Sequence, residues 1–68
     1  MNKKVSTQQV IDAIIYLSYV KGYPPTFEEI GREVGIAKSG VKRHVDIATS
    51  KGAVVYRPRR ARTLVVRR

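Results

Sequence analysis

The sequence predicts a mainly α fold with a small β-hairpin: three short helices followed by two strands. Three observations lead there. Helix-start signals recur at Ser6 with Gln9, at Thr26 with Glu29, and at Ser39. Glycines at 22, 35 and 52 punctuate the ends of the runs that follow. Beyond Gly52 the apolar period falls from about 3.6 residues to about 2.

Helix one is expected over about 6–20. Ser6 can accept the amide of Gln9 while the Gln9 side chain reaches back, and Val5 can pack on Val10. Val10, Ile14 and Leu17, widened by Ile11, Ile15 and Val20, follow the helical period. Gly22 offers a left-handed end and Pro24-Pro25 forbid continuation. Thr26 opens helix two, with Glu28 and Glu29 in the first turn, where the helix dipole favours acids. Ile30 and Val34 share one face, Gly35 ends the segment, and Arg32 and Glu33 point to solvent. Helix three is expected from about Gly40 to Lys51, with Ser39 as its cap. Val41, Val45 and Ala48 should face the core, with Lys42, Arg43, Asp46 and Thr49 or Ser50 toward the other side. Ile47 falls on or beside the polar face: either the helix is rotated slightly, or Ile47 meets something outside the domain. Ala53–Arg57 and Thr63–Val66 read as strands joined by Pro58-Arg59-Arg60-Ala61-Arg62. Two short helices around a glycine turn make a helix-turn-helix, and the hairpin makes it a winged one.

Length and charge bound what such a fold can do. At 68 residues the chain forms one domain, residues 1–68, with 1–5 and 67–68 expected to be flexible at its ends. A chain of this size buries only about 60% of its unfolded surface, so its core is thin. With no cysteine and one histidine, neither disulfides nor a structural zinc site can support that core, and no cofactor or metal is expected. No run approaches the roughly 18 apolar residues that span a membrane, so the expectation is a cytoplasmic protein without a membrane partner. The net charge of +9 is uneven: residues 1–37 sum to zero, while 38–68 hold ten basic residues against Asp46 alone. A polyanion held by one side of the molecule is the natural partner.

A major groove about 12 Å wide admits one helix, with small residues leading and long donors behind. Ser39-Gly40 followed by Lys42-Arg43 has that order. Arg43 can take a guanine edge in bidentate fashion, and Lys42 a base or a phosphate. The bland alternative for this pair is a solvated helix face. Arg57, Arg59, Arg60 and Arg62 suit phosphate clamping or minor-groove insertion, against the alternative that they guard a short hairpin from pairing. Lys38, Thr26 and His44 join the phosphate-facing set, His44 being structural or a phosphate contact. Tyr16, Tyr19, Tyr23 and Tyr56 are expected at the edges of the core, not as stacking platforms. Catalysis is not expected: Ser39, His44 and Asp46 diverge on one helix, and no phosphate-cradling glycine loop is present.

Lys21-Gly22-Tyr23-Pro24-Pro25-Thr26, Glu29-Ile30-Gly31, Val34-Gly35-Ile36-Ala37, His44-Val45 and Lys51-Gly52 together resemble the DNA-binding domain of LexA-type repressors over about residues 5–66. The resemblance implies a winged helix that recognises operator DNA, represses transcription and places helix three in the major groove. It puts Ser39, Gly40, Val41, Lys42 and Arg43 where the family reads bases, and Arg59 and Arg60 at the wing. Three departures stand out. The stretch between Gly35 and His44 is one residue shorter, the reading residues are basic, and Ala48 stands where the family has leucine, with Ile47 beside it. The family's C-terminal peptidase domain, with its Ser-Lys dyad and main dimer contact, is expected to be missing.

The leading expectation is a sequence-specific double-stranded DNA-binding regulator, a repressor, working as a homodimer or as cooperative copies on repeated half-sites. Ile47 or exposed residues of helix one are candidates for that contact. The rivals are a recombination directionality or architectural DNA-binding protein, and an interaction module that binds an acidic transcription protein.

Overall fold

A computed structural model describes residues 5–55 and 64–66. Three helices, α1 (Thr7–Lys21), α2 (Phe27–Val34) and α3 (Lys38–Ser50), precede two short strands, β1 (Val54–Val55) and β2 (Val65–Val66). The strands pair antiparallel, Val54 with Val66 and Val55 with Val65. Each helix packs on the other two, while β1 lies against α3 and β2 against α1. This is the winged helix-turn-helix arrangement, mainly helical with a two-stranded ribbon.

The first two helices begin and end as their sequences direct. Ser6 accepts from the Gln9 amide at 3.1 Å, and Gln9 Oε1 accepts the Ser6 amide at 2.8 Å. The same reciprocal pair joins Thr26 and Glu29, at 3.2 and 2.8 Å. Gly22 and Gly35 end α1 and α2 in the left-handed region, where a side chain would be strained. Glu29 does a second job: its other carboxylate oxygen accepts from Lys21 Nζ at 3.1 Å, so one residue caps α2 and ties it to the end of α1.

The start of α3 departs from expectation. Ala37, with extended backbone, is the residue before the helix, and no side chain caps it. Ser39 lies inside the first turn, because the Gly40 and Val41 amides already bond back to the Ala37 carbonyl. The connection is therefore only Gly35 to Ala37, shorter than a cap at Ser39 requires. Gly31 makes so short a turn possible. Its carbonyl accepts from the amides of both Gly35 and Ile36. A Cβ at Gly31 would stand 2.6 Å from the Ile36 carbonyl oxygen, closer than real Cβ contacts come.

The buried apolar cluster contains Val10, Ala13, Ile14 and Leu17 of α1, Ile30 of α2, Val41, Val45 and Ala48 of α3, with Val54 and Leu64 at the ribbon. Val5 packs against it, as the staple at the start of α1 requires. Ala48 is buried and Ile47 is 38% exposed, so helix rotation is excluded as the account of Ile47. The tyrosines correct an expectation. Tyr16, Tyr19 and Tyr23 are 55%, 87% and 45% exposed, not core edges. The stripe Val10-Ala13-Ile14-Leu17 takes the inward face of α1, which leaves positions 16 and 19 outside it. The three tyrosines border an open groove with Ile15 and Val65. Tyr56 lies outside the described residues.

A candidate nucleic-acid interface on the third helix

The apolar spacing of α3 fixes which side chains it shows to solvent. Val41, Val45 and Ala48 are buried, which turns Ser39, Arg43, Asp46, Ile47 and Ser50 outward. Lys38, Lys42 and Thr49 lie along one flank, with Gly40 and His44 on the other. Six residues of the expected set thus sit on one helix, on or beside its outward face: Lys38, Ser39, Gly40, Lys42, Arg43 and His44.

Val41 differs from the rest of the set. Its side chain is 0% exposed and belongs to the core, as its apolar spacing requires. Gly40 rests against Ile36, whose Cδ1 would lie 3.3 Å from a Cβ built there. Ser39 is exposed and does not act as the cap. Arg43 is exposed and makes no ion pair among the described residues. Lys42 Nζ, in contrast, donates to Asp46 Oδ2 at 3.0 Å. The i, i+4 spacing of the two residues is the sequence signal for this ion pair. Both partners are more than half exposed, so exchanging Asp46 for another anion costs Lys42 little.

His44 has a defined partner. Its Nδ1 lies 2.9 Å from Thr7 Oγ1, in a half-buried hydrogen bond that ties the first turn of α1 to the middle of α3. Thr7 carried no functional signal in the sequence; only the fold brings it to His44. The bond occupies one ring nitrogen and leaves Nε2 as the other. Thr26 caps α2 as an acceptor, so its hydroxyl hydrogen is not used in that bond. Arg57, Arg59, Arg60 and Arg62 lie outside the described residues, and their position relative to α3 with them.

No helix among the described residues is long and apolar enough to cross a membrane. A two-helix unit joined by a three-residue turn, whose second helix shows solvent a polar stripe, with a two-stranded ribbon behind it, defines a winged helix-turn-helix protein. The comparisons narrow that class. The LexA DNA-binding domain family matches residues 4–63, and the chain belongs to this family. LexA repressors from Exiguobacterium sibiricum and from a Geobacillus species are 35% and 38% identical to it over 60 residues, or 87% of the chain. The LexA repressor of Pediococcus pentosaceus is 36% identical over 69 aligned residues, or 97% of the chain. The chain spans 29% to 33% of the length of these relatives.

Proposed function

We propose that this chain is a sequence-specific DNA-binding regulator, a repressor, that lays α3 in the major groove of double-stranded DNA. The carrying observation is the division of α3 into a buried apolar side and an outward stripe that includes Ser39 and Arg43, on the second helix of a helix-turn-helix. Membership of the family, and the repressor names of the relatives, support DNA as the polyanion that the charge asymmetry calls for. Arg43 reads a guanine edge, Ser39 and the backbone at Gly40 approach the groove wall, and Lys42 takes a base or a phosphate in exchange for Asp46. Lys38, Thr26 and His44 contact phosphates, with Thr7 holding the His44 ring in orientation. The arginines at 57, 59, 60 and 62 add phosphate contacts from the ribbon connection. Copies act in pairs on repeated half-sites, since one small module reads few bases.

Selection of bound duplexes from a random library tests this reading. A recovered motif with half-sites separated by about 10 base pairs or a multiple is the expected result. Recovery without a motif would favour an architectural DNA-binding protein. Failure to retain any duplex at low salt would remove DNA as the partner.

A further inference from the structure

Ile47 is the one side chain of the outward stripe with nothing polar to offer. Its exposure follows from helical phase: Val45, two residues before it, and Ala48, one after it, are both buried. An isolated exposed aliphatic residue is ordinary on a protein surface. Its place on the helix is what matters. Ser39, Arg43 and Ile47 recur every fourth residue, so they form one line that drifts only about 40° per step around the helix. From Ser39 to Ile47 the line rises about 12 Å, a length the major groove accommodates when a helix lies along it. Within that groove, the 5-methyl group of thymine is the apolar feature of the base edges.

We propose that Ile47 is a specificity-determining residue that packs on the 5-methyl group of a thymine, one helical turn along from the base read by Arg43. This deepens the DNA-binding reading above and rests on it. The β-branched side chain is stiff in a helix, which suits it to holding one contact surface toward the groove. Among its neighbours in the outward stripe Asp46 and Ser50 are short, while the long side chains Arg43 and Lys51 stand one turn before and one turn after it. The site preferred by the chain should therefore contain a thymine whose methyl group matters, and removing that methyl should weaken binding without altering any hydrogen-bonding edge.

The test replaces thymines of the selected duplex by uracil, one at a time, and measures affinity for the chain and for Ile47→Ala. Uracil differs from thymine only by the methyl group, and a partly exposed residue on a helix tolerates alanine. For the unaltered chain, one thymine per half-site should show a loss of about fourfold, the effect of burying one methyl group. Ile47→Ala should bind the thymine duplex more weakly and show no discrimination between thymine and uracil at that position. Uracil tolerated at every position by the unaltered chain would overturn the inference, as would an unchanged penalty in Ile47→Ala. If Ile47→Ala loses cooperativity between half-sites while thymine and uracil bind alike, the residue touches a second copy and the inference is wrong. Absence of any duplex binding by the unaltered chain would overturn the underlying DNA reading itself.

Discussion

At the level of single residues, Arg43 and His44 are adjacent in the chain but do different work. Arg43 is exposed, with no ion pair among the described residues, so its alanine variant should fold normally. On the preferred duplex, Arg43→Ala should cost about 1–3 kcal/mol and relax the choice of base at one position, measured by titration against single-base variants. His44 instead joins two helices through Thr7, at 2.9 Å. Thr7→Val keeps the shape but removes the hydroxyl, and should lower stability by about 0.5–1.5 kcal/mol in urea unfolding. A double-mutant cycle with His44→Ala should show that the two losses are not additive. The contrast also separates what the sequence could reveal from what it could not. Arg43 was legible because helical phase alone places it outward. Thr7 was not, because its partner is 37 positions away and only tertiary packing sets that distance.

Elements were legible where local chemistry decides them. The boundaries of α1 and α2 follow from capping boxes complete within four residues and from glycines in left-handed conformation. The start of α3 falls before the cap that Ser39 suggests: Ser39 has the composition of a cap, while the cap position is defined by backbone geometry that Ala37 adopts. The tyrosines of α1 lie outside the core for a related reason: aromatic character suggests burial, but the inward stripe is filled by Val10, Ala13, Ile14 and Leu17. Gly31 depends on a neighbour brought close by the turn, since the backbone that approaches it belongs to Ile36. Gly31→Ala should destabilise the domain by about 1–3 kcal/mol, although alanine is the better helix former. Thermal unfolding checks this; unchanged or raised stability would mean that the turn relaxes around the methyl group.

Across the whole molecule, the neutral first half and the basic second half divide the labour. The first half supplies α1 and α2, much of the buried core and the scaffold that orients α3. The second supplies the net charge, so association with duplex DNA should depend steeply on salt. If about five phosphates are neutralised, log affinity should fall against log salt with a slope near −4 to −5, measured by fluorescence anisotropy across salt concentrations. Replacing Arg59 and Arg60 with alanine should flatten that slope and weaken all sequences alike, unlike Arg43→Ala. The ribbon adds a last consequence. Its strands are only two residues long, yet Val54 and Leu64 anchor its two sides in the core. Exchanging residues 56–63 for a peptide of different length or charge should therefore leave the helices as they are, which the helical circular dichroism of such a variant checks. On the proposed DNA-binding reading, affinity and sequence preference should then be separately adjustable, one by rewriting that connection and the other by rewriting the face of α3.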